Sequence, residues 1–217
     1  VIDAVRQLLL GAAVSLLLAI VGITCGTILG VLLATLGFSR FSAVRVMYQL
    51  VVFLVRGTPL LVLALLVFYT LPALDFRAGP YVIGGFVLSV YTSVFFAEVF
   101  RGGVLAIPKA QLESARSLGL PPIELFRQVV GPLAVRYSLP AYINICVMSI
   151  KASSILSIIS VWELTLASRE IIERTLWVFS TLGFAALLYF IMCFSLDRVG
   201  RLFERRLMLK GFVGVHV

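Results

Sequence analysis

The run Gln7–Ser39, QLLLGAAVSLLLAIVGITCGTILGVLLATLGFS, carries no charged side chain. A helix rises 1.5 Å per residue and a bilayer's hydrocarbon core is about 30 Å thick, so roughly 20 apolar residues cross it. This run exceeds that minimum and leaves room for tilt or an interfacial extension. Outward from it the pattern repeats. Val46–Ala73 is broken only by Arg56, Ala78–Phe100 only by Glu98, and Tyr137–Val161 runs around Lys151, while Leu176–Leu196 is uncharged. Pro72, Gly79 and Pro80 punctuate the turn between the second and third runs. The expectation is an all-α membrane protein, one domain over residues 1–217, with five transmembrane helices at about 8–36, 46–72, 80–101, 137–160 and 176–197.

Composition agrees. Of the 217 residues, 61% are hydrophobic and 13% charged, and the mean hydropathy is +1.12, values that belong to a bilayer rather than to a soluble domain. The net charge of +8 raises the question of a nucleic-acid partner, but the basic residues form short clusters between apolar runs instead of one stripe. They read as topology signals. With five spans the termini lie on opposite sides. One side receives Arg40, Arg45, Arg101, Lys109, Arg116, Arg127, Arg136, Arg198, Arg201, Arg205, Arg206 and Lys210; the other receives Arg6, Arg77, Arg169 and Arg174. Twelve against four puts the Arg101–Arg136 segment and the C-terminus in the cytoplasm and the N-terminus outside. No cleavable signal pattern is visible, so insertion is expected to rely on the spans.

Enzymatic and metal chemistry find little footing. Cys25, Cys146 and Cys193 sit inside apolar runs without C-x-x-C spacing, and His216 stands alone near the end. There is no Walker A, H-E-x-x-H or G-x-S-x-G pattern, nor paired carboxylates on one span.

Between the third and fourth runs, Ile107–Pro132 carries its own helix signals. Pro108 suits a first turn, Lys109–Leu118 is a helix-forming run, and Gly119, Pro121 and Pro122 end it. A helix over about 109–118 is expected, with Leu112, Ala115 and Leu118 on one face and Glu113 and Arg116 beside it. Taken alone, this suits an amphipathic loop helix resting on the bilayer. Trp162–Trp177, on the other side, is polar and helix-compatible, with a tryptophan at each end. It reads as a short helix on the outer face or as a plain loop.

Glu113-Ser114-Ala115, Gly119, Val129 and Gly131-Pro132 resemble the cytoplasmic signature of ATP-binding-cassette importer permeases: Glu-Ala-Ala, three residues, Gly, nine residues, Ile, one residue, Leu-Pro. The spacing is kept; Ser114, Val129 and Gly131 depart from it. Arg56-Gly57-Thr58-Pro59-Leu60-Leu61, Ala97-Glu98-Val99-Phe100-Arg101-Gly102-Gly103 and Phe203-Glu204-Arg205-Arg206-Leu207 are similar to the polar amino acid branch, which takes up histidine, glutamine, arginine and opines. The resemblance implies the type I importer permease fold. It implies a coupling helix that meets an ATPase subunit through Gln111, Leu112, Glu113, Ala115, Arg116, Leu118 and Gly119. A short rod capped at both ends transmits displacement where a flexible loop would absorb it. It further implies ATP and Mg on that partner, no cofactor on this chain, a second permease subunit, identical or homologous, a solute-binding protein and an amino-acid substrate. No internal repeat halves the chain, which also points to a second copy or homologue.

Arg56, Glu98 and Lys151 lie within spans, where a charge costs about 2.5 kcal/mol or more. Such residues face partners or water. Arg56 lies about 16 Å along a helix from Arg45, near mid-depth. Glu98 is one turn from Arg101, so an ion pair competes with ligand contact. Arg56, Thr58, Tyr91, Thr92, Glu98, Lys151, Ser153 and Ser154 are the candidate substrate path, with backbone bonding the alternative for the hydroxyls and helix pairing for the charges. Ala152 stands where related permeases carry an acid, so this chain cannot supply that group. Gly22, Gly26 and Gly30 form a smooth strip for another helix. An ion-coupled transporter or channel is the rival function; it would have no reason to keep the coupling spacing.

Overall fold

The computed structural model describes residues 2–209; Lys210, counted in the charge census, and His216 lie outside them. In chain order the described residues form α1 (Ile2–Gly37), α2 (Ser42–Gly57), α3 (Leu60–Ala73), α4 (Pro80–Leu105), α5 (Lys109–Ser117), α6 (Pro122–Leu125), a π turn (Phe126–Val130), α7 (Gly131–Ala152), a 3₁₀ turn (Ser153–Ile159), α8 (Leu164–Thr175) and α9 (Val178–Leu209). Helix is what a lipid-embedded backbone demands, because it satisfies each N–H and C=O within the segment.

Among the described residues, four helical runs are long and apolar enough to cross a membrane alone: Ile2–Gly37, Pro80–Leu105, Pro122–Ile159 and Val178–Arg206. The second expected span is different. It is a bent pair, α2 and α3 meeting at 103°, and the count reaches five only if the pair is one crossing. The break has a local cause. Pro59 lacks an N–H and disfavours helix at the residue before it, and Thr58 is accordingly extended at φ −101°, ψ 131°. A straight helix over 46–72 is therefore corrected to two.

The fourth span also differs from the expected 137–160. Its helical run begins at Pro122 and reaches Ile159, passing through Pro140. The final turns tighten to 3₁₀ and end at Ser160, which adopts the left-handed conformation at φ 62°.

The core forms where α1 crosses α4. Cβ atoms added at Gly22 and Gly30 would lie 2.7 Å from Leu88 Cγ and 2.7 Å from Phe96 Cβ, so the glycine strip of α1 is what lets α4 approach. Leu88, Phe96 and Ala97 are fully buried there. The segment between the last two spans is helical, but it does not merely lie on a surface. α8 buries Leu164, Ala167, Ser168 and Ile171, and a Cβ at Gly11 would lie 2.9 Å from Leu164 Cα.

Candidate coupling helix and substrate path

α5 follows Pro108, whose φ of −59° and ψ of 135° deliver the chain into the first turn. It ends where Gly119 turns left-handed at φ 70°, a conformation that costs an L side chain about 1–2 kcal/mol. Pro121 then leads into α6. The result is a rod of nine residues with a turn at each end, held between α4 and the helical run that ends in α7. Ala115 is buried, Gln111 and Leu112 are half-buried, and Glu113 and Arg116 are exposed. Leu118 leaves the expected shared face: it terminates the helix and is 74% exposed. Gln111 Oε1 is buried with no hydrogen-bond partner among the described residues.

The intramembrane charges do not stand alone. Arg101 Nε and Nη2 donate to the two oxygens of Glu98 at 2.8 and 3.1 Å. Tyr48 donates its hydroxyl to Glu98 Oε1 at 2.6 Å. Arg56 Nη1 lies 3.6 Å from Glu98 Oε2, and its guanidinium sits 5.5 Å from the Phe95 ring centre. One carboxylate thus ties α2 to α4. Arg56 and Glu98 line a cleft of about 470 Å³ with Gly37, Arg45, Tyr48 and Arg101. They also line a second of about 400 Å³ with Phe95, Tyr137 and Ile145. Arg56 stands between the two with nearly half its side chain exposed.

The other sequence candidates divide. Tyr91 is half-buried and packs at 4.9 Å against Phe95, next to the Arg56 cluster. Thr92 is fully buried, its hydroxyl 2.8 Å from Leu88 O and 2.9 Å from Gly22 O. It packs α4 onto α1. Ser153 is likewise fully buried and donates to Ile150 O at 2.8 Å. Thr58 donates to Leu54 O and Ser154 to Lys151 O, each at 2.7 Å. These hydroxyls bond their own backbone, the alternative weighed for them. Lys151 is exposed on the surface of the single chain at the last turn of α7, and has no ion pair among the described residues. Ala152 beside it is buried. The structure therefore brings Arg56, Tyr91 and Glu98 together and leaves Lys151 apart.

Sequence reasoning missed Glu163. It is wholly buried and caps α8, accepting from Thr165 N at 2.8 Å and Leu166 N at 3.0 Å. Its other oxygen accepts from Ser15 of α1 at 3.0 Å and Tyr189 of α9 at 2.8 Å. Burial pushes this carboxyl above the usual range, against the pull of four hydrogen bonds. The available signal was an acid immediately ahead of a helix-compatible run; its weakness is that Glu is a less usual cap than Ser, Asp or Asn.

Comparison with known proteins adds the context. Residues 26–209 match the family described as the binding-protein-dependent transport system inner membrane component. The octopine transport system permease protein OccM of Rhizobium radiobacter is 34% identical over 91% of this chain and 84% of its own. The glutamine transport system permease protein GlnP of Escherichia coli K12 is 32% identical over 95% of both. Among solved structures, an amino acid ABC transporter crystallised with histidines superposes with a TM-score of 0.89 at 29% identity, over 94% of this chain and 96% of that one. The MetNI methionine ABC transporter shares the fold at a TM-score of 0.78 and 17% identity, over 93% of this chain and 96% of that one. The fold is the expected all-α type I importer permease fold. With most of its length matched, the chain belongs to the binding-protein-dependent transport system inner membrane component family.

Proposed function

We propose that this chain forms one half of an amino-acid translocation path, which a separate ATPase opens and closes by moving α5. The substrate class is a polar or charged amino acid or an opine, in keeping with the relatives that carry octopine and glutamine. The second half is a homologous or identical permease subunit. A solute-binding protein delivers the substrate from outside, and ATP with Mg stays on the ATPase. The N-terminus lies outside and the C-terminus in the cytoplasm, supported by the asymmetry of Lys and Arg between the loops.

The observation that carries this reading is the isolated rod Lys109–Ser117, closed by Pro108 and by Gly119 at φ 70°. A push on a stiff element passes to α4 and α7 on either side of it, and small displacements become discrete helix movements in a packed bundle. Arg56 and Glu98 lie where α2 meets α4, between two clefts. They are the groups on which a carboxylate or ammonium of the solute would act. Lys151, exposed at the last turn of α7 within an apolar helical run, needs water or a partner subunit beside it. Co-purification with mass spectrometry of the partners, followed by uptake assays over a panel of amino acids, tests the proposal. An ATPase subunit and saturable uptake of one or a few amino acids are expected; a chain that purifies with no ATPase would contradict it.

A further inference from the structure

Arg127 and Arg136 stand nine residues apart in a helical run. In uninterrupted α-helix that spacing is about two and a half turns, which sends side chains to opposite faces. Both nevertheless line one groove of about 650 Å³, with Ile123, Phe126, Pro132 and Val135. The π turn Phe126–Val130 supplies the reason: its i→i+5 winding advances less per residue and re-phases the two arginines. Gly131 keeps the groove open. It lines the groove at the position where the importer signature has Leu, so no side chain fills that space. A Cβ there would meet Phe126 O at 3.0 Å.

The groove mixes two chemistries. Its walls are apolar and open to the surroundings, with Phe126 61% and Val135 54% exposed. Among the described residues neither arginine has an ion pair. Its position decides between a soluble anion and a lipid. The run Pro122–Ile159 holds 38 residues, about 57 Å of helix against a hydrocarbon core of about 30 Å. One end must leave the core, and the charged end is Pro122–Arg136. Arg136 then stands at the boundary, and Arg127 lines the same groove from the aqueous side. Two arginines lining one apolar-walled groove at that level match a phosphate joined to an acyl chain.

We propose that this groove holds an anionic phospholipid of the leaflet on the α5 side, its phosphate between Arg127 and Arg136 and its chain along Pro132 and Val135. The proposal rests on the reading that α7 spans the bilayer with its first residues emerging on that side. Because α5 packs against the π turn, a lipid held there bears on the position from which the coupling rod moves.

Native mass spectrometry of the assembled transporter, exchanged into nanodiscs of phosphatidylcholine with stepwise phosphatidylglycerol, tests this without measuring transport. The wild type should retain phosphatidylglycerol. Arg127→Gln with Arg136→Gln should retain it about thirtyfold less, the scale expected from two basic groups near an anionic surface. Arg205→Gln with Arg206→Gln removes the same charge elsewhere and should behave as wild type. Val135→Trp fills the groove without altering charge and should also lose the lipid. Equal losses from both arginine pairs would reduce the effect to diffuse charge and overturn the site. Unchanged lipid retention, with loss of the ATPase subunit from the Arg127/Arg136 variant, would make the groove a protein contact and overturn it as well. Failure to find amino-acid uptake would strike the proposed function and leave this readout standing.

Discussion

Ser15 Oγ lies 3.0 Å from Glu163 Oε2, joining the first helix to the start of α8 across 148 residues of sequence. Tyr189 of α9 reaches the same oxygen, so one carboxylate holds three elements together.

Removing that carboxylate should be costly. Glu163→Ala deletes the α8 cap and leaves four donors without their acceptor, a loss of about 3 kcal/mol. The melting temperature of the purified complex should fall by about 6–10 °C. Glu163→Gln keeps an acceptor for part of the set and should fall less. An Ala variant as stable as wild type would contradict the role.

The same group sets a pH slope. Its folded carboxyl titrates above the ordinary range because it is buried, so the folded state takes up a proton before the unfolded one does. Stability relative to Glu163→Gln should therefore rise as pH falls from neutral through the raised value, and level off below the ordinary carboxylate range. Paired thermal melts across that window check the sign; a rise with increasing pH would reverse it.

The α1 strip offers a packing test. Gly30 is closed in by Phe96 Cβ and by Ser93 O at 2.8 Å, whereas nothing lies within 4 Å of a Cβ at Gly183. Gly30→Val should sharply reduce the yield of folded protein by pushing α4 away, and Gly183→Val should reduce it much less. Size-exclusion profiles of the two variants make the comparison.

Arg56 separates path from scaffold. Its contact with Glu98 is 3.6 Å long and nearly half its side chain is exposed, so the pair contributes at most about 1 kcal/mol to stability. Arg56→Ala should leave the ATPase subunit bound while uptake falls roughly tenfold, the scale of a lost charge-assisted hydrogen bond. Equal loss of uptake and of ATPase association would make Arg56 structural.

Much of this architecture is legible in the chain because the bilayer imposes a length and a composition on each crossing. Gln7–Ser39 needs little more than its lack of charge. The coupling rod is legible too, since Pro108, Gly119 and Pro121 act locally and the structure bounds α5 at Lys109–Ser117. What escaped depends on tertiary placement. The break at Thr58–Pro59 sits inside one long apolar run, where Arg56 is the lone charge and Gly57 and Pro59 are the local signals of a bend. The burial of Thr92 follows only once α1 is placed beside it, with Gly22 O 2.9 Å away. Glu163 belongs to a polar stretch by composition, and its burial follows from α8 folding back against Gly11 and Ser15. The glycine strip read the other way: small residues at a spacing of four announce a close helix, though not which one.

Most direct for the central claim is uptake into proteoliposomes holding the complete complex with its ATPase, supplied either with ATP or with a proton gradient alone. Import with ATP and none with the gradient is predicted. Replacing Gly119, at φ 70°, by Val should leave the protein inserted and hydrolysis running while import is lost. Import driven by the gradient without ATP, or undiminished import by the Gly119→Val complex, would contradict the account.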